Sequence, residues 1–205
     1  MQHLVLASSS PRRRELLTQA GFTFHVHPAN IPEDPRPNED PIAYVVRLAR
    51  EKAEAVFAQR TTVGAPCPSH LGTWEGKDPA PQSIVVLGAD TTVTLDNQIL
   101  GKPENPADAA RMLRLLSGRT HRVITGVAVV TATRTEVAAE VTGVTFLTLS
   151  DQEIESYIAT GEPMDKAGAY AIQGRAARWI PRITGDYSNV VGLPIALVTT
   201  LLEGI

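Results

Sequence analysis

Leu4-Val5-Leu6-Ala7-Ser8-Ser9-Ser10-Pro11-Arg12-Arg13-Arg14-Glu15-Leu16-Leu17 is the stretch that decides how this chain folds. Four apolar residues read as a short buried strand, and the hydroxyls of Ser8, Ser9 and Ser10 follow it. Pro11 then suits the first turn of a helix, where its missing N–H would have no partner. Ser10 is the natural N-cap, and Gly21 stops the helix about three turns later. Arg12, Arg13 and Arg14 crowd that first turn, where the helix dipole is already positive. Each cation there costs the isolated helix roughly 0.3–1 kcal/mol. A bound anion would offset that cost, and amides, hydroxyls and guanidinium forks together describe a phosphate site. The alternative is a solvated basic helix start.

The 205 residues, 43% of them hydrophobic, suffice for one domain of two lobes or two small domains. No apolar run reaches the ~18 residues that a spanning helix needs. The N-terminus lacks the charged-then-apolar order of a signal peptide, because the strand precedes the arginines. Cys67 is the sole cysteine, which excludes an internal disulfide and suits a reducing cytosol. A net charge of −3 argues against a bulk nucleic-acid binder.

Further along, residues 22–27 alternate as a strand with His25 and His27 on one face, a pair that suits either a metal or solvent. Residues 28–41 hold five prolines and read as a stiff loop whose Glu33, Asp34, Glu39 and Asp40 can reach a metal or simply be solvated. Asp40-Pro41 opens a long helix with an apolar stripe from Ile42 to Phe57. Lys52 falls on the flank of that stripe, either leaning into a cleft or snorkelling to water. Residues 61–83, rich in Pro and Gly, read as a surface excursion.

Order resumes in an apolar central strand over residues 84–89, with Asp90-Thr91-Thr92 expected at its C-terminal end. Open α/β sheets place their chemistry at that edge. A carboxylate there can act as a base or hold a metal, or it can merely cap a turn. A hairpin turning at Asp96-Asn97 delivers Gly101-Lys102-Pro103, which lacks the glycine spacing and hydroxyl of a Walker A loop. Asn105-Pro106 opens a helix ending at Ser117-Gly118. Residues 122–133 and 137–148 form a hairpin, and Ser150 to Glu153 is a capping box. Helices alternating with strands and then hairpins indicate a mixed sheet. In residues 165–174 glycines surround Lys166 and Gln173, whose carboxamide suits the imide edge of uracil or thymine.

Leu6-Ala7-Ser8-Ser9-Ser10-Pro11-Arg12-Arg13, Gly88-Ala89-Asp90-Thr91, Gly101-Lys102-Pro103, Leu116-Ser117-Gly118, Asp165-Lys166-Ala167-Gly168-Ala169-Tyr170 and Val191-Gly192-Leu193-Pro194 together resemble the Maf family of nucleotide pyrophosphatases. The resemblance runs in order through nearly the whole chain. It implies an α/β fold in which an elongated mixed sheet flanked by helices forms two lobes around a central cleft, akin to the inosine triphosphate pyrophosphatases. On that view residues 1–205 are one such domain, with a flexible insertion at 61–83 longer than the family's usual link.

The resemblance also implies a nucleoside triphosphate diphosphatase that uses a divalent cation, Mg²⁺ or Mn²⁺. Ile172-Gln173-Gly174 is similar to the branch acting on dTTP and UTP, and modified pyrimidine nucleotides fit the same class. Asp90 matches the proton acceptor, while Arg12, Thr91 and Gln173 match specificity positions. Arg13, Glu33, Lys52 and Lys102 match other polar cleft positions, with Ser8 in the first motif. Asp90 and Glu33 are the expected metal ligands. Ala171 departs from the glycine usual before Ile-Gln-Gly, adding a methyl group near the base site.

The expected partner is the nucleotide substrate, with at most a second copy in a homodimer, no nucleic acid and no membrane. The expected place is the cytoplasm and the expected role is nucleotide-pool housekeeping. A non-catalytic nucleotide sensor or septum-associated regulator is the competing class, and a strand carboxylate is what such a protein has no need of.

Overall fold

A computed structural model of the chain describes residues 3–61 and 84–205, so most of the 61–83 excursion, with Cys67 and Trp74, lies outside the described residues. Strand β1 (His3–Leu6) leads into helix α1 (Pro11–Gln19), capped as the sequence predicts by the Ser10 side chain, which accepts from the Arg13 N–H. After the helix the chain turns through Gly21 at φ +82°. Strand β2 (Phe24–Val26) lies parallel to β1, shorter than residues 22–27 suggest. Helix α2 (Pro41–Thr61) starts where Asp40 Oδ1 accepts from the N–H groups of Ile42 and Ala43 at 2.9 and 3.1 Å.

Strand β3 is the main departure from expectation. It does not stop before Asp90 but runs from Ile84 to Leu95. Its first part pairs in parallel with β1, ending at Leu6 against Leu87. From Val86 to Thr94 it pairs antiparallel with β5 (Thr120–Val130). The β-branched run Thr91-Thr92-Val93-Thr94 keeps the backbone extended past the carboxylate. Asp90 therefore sits in mid-strand, just beyond the point where β1 ends. The predicted hairpin follows, turning at Asp96 and Asn97 with φ +51° and +62° into β4 (Gln98–Leu100).

Helix α3 (Pro106–Leu116) is capped by Asn105, and β5 pairs with β6 (Thr135–Thr145), a hairpin closed a few residues earlier than the sequence suggests. Helix α4 (Asp151–Ile158) starts at the predicted capping box. A short edge strand, β7 (Arg182–Thr184), precedes α5 (Tyr187–Val191) and α6 (Ile195–Glu203). The sheet order is β2-β1-β3-β5-β6-β7, with β4 attached to β3. This is the mixed α/β sheet flanked by helices that the element pattern calls for.

Around the parallel end, Val5, Val86 and Ala128 pack under Ala49, Ala53 and Val56 of α2. On the opposite face Leu6, Leu87 and Val127 meet Leu17 and Val198. Further along the same strands, Val93 and Val123 join a separate core with Leu113, Ile154 and Trp179. Strands β3 and β5 thus serve both ends of the molecule, and Asp90 lies where one core gives way to the other. Helix α2 rests directly on them. A Cβ added at Gly88 would meet Ala49 O at 2.1 Å, and one at Gly126 would meet Val45 O at 2.3 Å. Only glycines allow this approach, and it brings Lys52 within reach of the next residue but one along β3.

Candidate active site

Lys52 and Asp90 are each only 7% exposed. Lys52 Nζ donates to Asp90 Oδ1 at 2.6 Å and lies 2.6 Å from Glu33 Oε1. The lysine therefore leans into the cleft rather than out to water, because helix α2 sits so close to the sheet. Burial pushes the Asp90 carboxyl above its usual range, and the positive charges of Lys52 and Arg13 oppose this without cancelling it. For Glu33 burial also acts upward. Its bond to Lys52 and the charges of Lys52, Lys102 and Arg13 outweigh that, and its carboxyl ends below the usual range.

The loop that carries Glu33 is held in place. Tyr44 OH donates to Glu33 O at 2.8 Å. Arg47 grips Glu39 through Nε at 2.6 Å and Nη2 at 2.7 Å, and the Glu39 carboxyl is drawn down to about 2, first by that bond. Of the four loop carboxylates, Asp40 caps α2 and Glu39 is paired, whereas Glu33 and Asp34 face the cleft.

The arginines at the head of α1 divide. Arg14 is exposed on the solvent side. Arg12 lines the cleft, and its Nε is buried with no hydrogen-bond partner among the described residues. Arg13 also lines the cleft, but its donors are committed to protein. Nε bonds Gly192 O at 2.8 Å, and Nη1 bonds Ala89 O at 2.8 Å and Ser8 Oγ at 3.2 Å. Nη2 reaches Thr91 Oγ1 at 3.0 Å, and of the five N–H groups of a guanidinium at most one remains for a ligand. Thr91 Oγ1 is itself 2.9 Å from Thr125 Oγ1 and 3.3 Å from Gly192 O. Burial lowers the Arg13 pKa, with Asp90 and Glu33 pulling the other way. Arg13 thus ties α1, β3 and the segment after α5 together.

Ser8, Arg12, Arg13, Glu33, Lys52, Asp90, Thr91, Lys102 and Gln173 all line one cavity of about 660 Å³. Lys102 is placed by the segment after β4, where Gly101 O accepts from the Gly168 N–H at 3.0 Å. Gln173 faces the cavity from a turn closed by Gly174 N–H donating to Ala171 O at 3.0 Å. His25 on β2 and His27 just after it do not line the cavity, and His27 Nε2 lies 2.8 Å from Gln59 Oε1.

Tyr44, not among the residues expected from the sequence, also lines the cavity, and burial and the nearby Asp90 and Glu33 charges push its phenol up to about 12. Its spacing along α2, eight residues before Lys52 on the same side, was the available signal. A cavity with cations at Lys52, Lys102, Lys166, Arg12 and Arg13 around a buried carboxylate can hold a polyanion and present a base to it.

The chain is 49% identical over 200 residues to a dTTP/UTP pyrophosphatase of Koribacter versatilis (strain Ellin345), spanning 98% of this chain and 93% of that relative. A dTTP/UTP pyrophosphatase of Moorella thermoacetica is 50% identical over 204 residues, spanning 98% and 94%. One of Salmonella typhimurium is 48% identical over 203 residues, spanning 99% and 93%. Residues 3–205 match the family described as Maf-like protein. With this match over residues 3–205 and kinship to these relatives over 98–99% of its length, the chain belongs to the Maf-like protein family.

Proposed function

We propose that the protein is a nucleoside triphosphate pyrophosphatase that hydrolyses dTTP and UTP to the nucleoside monophosphate and pyrophosphate. The relatives that carry this name at 48–50% identity support the substrate class. The observation that carries the chemistry is Asp90, a buried carboxylate with a raised pKa on the wall of a cation-rich cavity. Its Oδ1 is held by Lys52, so Oδ2 is the oxygen left to take a proton from water. The water oxygen then bonds to the α-phosphorus, the bond from that phosphorus to the bridging oxygen breaks, and pyrophosphate leaves. Arg12, Lys102 and the α1 terminus neutralise the phosphates in place, which needs no covalent intermediate. A nucleotide sensor has no need of a base beside the α-phosphate.

A divalent cation, Mg²⁺ or Mn²⁺, fits the donor set. Asp90 and Glu33 each give one oxygen to Lys52 and keep the other, and such ions are commonly held by one or two carboxylates plus substrate phosphates. Among the described residues no group of three or more His, Cys, Asp or Glu is gathered as a closed cage. Such an ion, when bound, supplies charge neutralisation on the phosphates and the leaving pyrophosphate. A cytoplasmic place in nucleotide-pool housekeeping suits a chain with a single cysteine, and among the described residues no helix is long and apolar enough to cross a membrane.

Pyrophosphate release measured across the common nucleoside triphosphates tests the reading. UTP and dTTP should be turned over much faster than CTP, dCTP, ATP or GTP. Asp90→Asn should lower kcat at least ~100-fold, the scale of general-base catalysis, while substrate still binds. Near-normal turnover in the folded variant, or release of phosphate in place of pyrophosphate, would contradict it.

A further inference from the structure

The turn that carries Gln173 is built into a small closed circuit of hydrogen bonds. Its entry N–H, on Ala171, donates to Tyr157 OH at 3.2 Å. Its exit N–H, on Arg175, donates to Glu162 at 3.1 Å to Oε1 and 3.3 Å to Oε2. Tyr157 OH closes the circuit by donating to Glu162 Oε1 at 2.8 Å. Between these anchors the turn is closed on itself by Gly174 N–H and Ala171 O. The fit is tight, since a Cβ on Gly174 would meet Glu162 Oε1 at 1.9 Å. Any side chain at 174 would drive the carboxylate off its donors.

The clamp is rooted away from the phosphates. Tyr157 is 2% exposed on α4, with its ring edge-on to Trp179 at 5.1 Å and 86°. Burial and the Glu162 carboxylate keep its phenol protonated well above the usual range, so it stays a donor. Neither Tyr157 nor Glu162 is among the residues lining the cavity. Gln173 itself is exposed to it, and its carboxamide makes no hydrogen bond among the described residues to fix its direction. The aim of that carboxamide is therefore set by the turn beneath it, and the turn by the clamp.

We infer that Tyr157 and Glu162 are positioning residues that set the pyrimidine preference by holding the turn carrying Gln173. The inference rests on the reading of Gln173 as the residue that recognises the uracil or thymine edge. A displacement of ~1 Å at a positioned group is worth up to ~100-fold in rate. Loosening the clamp should thus cost discrimination between bases while the Asp90 chemistry, on β3 and α2, continues.

The test is kcat/KM for UTP and for CTP in the wild type and in Gln173→Ala, Glu162→Ala, Tyr157→Phe and Glu162→Gln. The ratio of UTP to CTP should fall at least ~10-fold in Glu162→Ala and Tyr157→Phe, through KM for UTP more than through kcat. Glu162→Gln should keep most of the ratio, because one carboxamide oxygen can accept from both Tyr157 OH and Arg175 N–H, as Oε1 does here. Glu162 is only half-buried, so its variants keep the test intact even where Tyr157→Phe folds poorly. A ratio lost in Gln173→Ala but kept in Glu162→Ala and Tyr157→Phe overturns the inference alone. A ratio kept in Gln173→Ala overturns the reading of Gln173 and the inference with it.

Discussion

Arg12 and Arg13 are neighbours in sequence with opposite duties, and the difference is one of donor satisfaction. Arg13 has bonds to Gly192 O, Ala89 O, Ser8 and Thr91, so its removal strips partners from two carbonyls in the wall of the cleft. Each unsatisfied group of this kind costs about 1–3 kcal/mol. Arg13→Ala is therefore expected to lose at least ~2 kcal/mol of stability, read as a lower urea midpoint. Arg12, with its Nε unpaired among the described residues, should behave the other way. Arg12→Ala should raise KM for UTP at least ~10-fold, the weight of a charge-assisted bond, with little change in the urea midpoint. Equal effects on both measurements in both variants would refute this division. The sequence places both arginines at a phosphate site, and nothing local separates them, because apart from Ser8 the side-chain partners of Arg13 lie 76 to 179 residues away.

Elements, more than single contacts, set the distance between Lys52 and Asp90. Helix α2 can lie on β3 and β5 only because Gly88 and Gly126 leave room for the carbonyls of Ala49 and Val45. Gly88→Ala must lift the helix or strain the strand, an overpacking cost of typically ~1–3 kcal/mol. It should also lower kcat, since Lys52 leaves Asp90 as the helix rises. The paired checks are the thermal midpoint and kcat for UTP, and an alanine tolerated in both would mean that the helix seat is not what places the lysine. The helix caps at Ser10, Asp40, Asn105 and Ser150 were all legible in the sequence, because each is settled within a few residues. The run of β3 through Asp90 was not. It depends on pairing with β5, and an aspartate after an apolar run reads locally as a strand end.

Across the whole molecule the two ends of the sheet carry different burdens. The cleft concentrates charge beside the parallel end, while the far core hides a histidine. His121 is 1% exposed, its Nε2 lies 2.8 Å from Tyr170 OH, and Phe146 and Tyr170 stand edge-on to its ring. Burial lowers its pKa from 6.5 to about 4. The folded value lies below the unfolded one, so the stability from the neutral ring is present above pH 6.5 and is lost as pH falls toward about 4. Between pH 7 and 5 this amounts to about 2 kcal/mol at ~1.4 kcal/mol per unit. Urea midpoints at those two pH values should show that fall in the wild type and a smaller one in His121→Leu; equal falls would assign the titration elsewhere. The general plan of helices, hairpins and cleft could be read from the sequence, but this buried pair could not, since His121 and Tyr170 meet only once β5 and the segment after α4 are packed. At this scale the central claim is that the cleft delivers water to the α-phosphorus, with Asp90 as its base. Hydrolysis of UTP in H₂¹⁸O, with mass spectrometry of both products, tests that most directly. Attack at the α-phosphorus puts one ¹⁸O in UMP and none in pyrophosphate, and label in pyrophosphate with unlabelled UMP would contradict it.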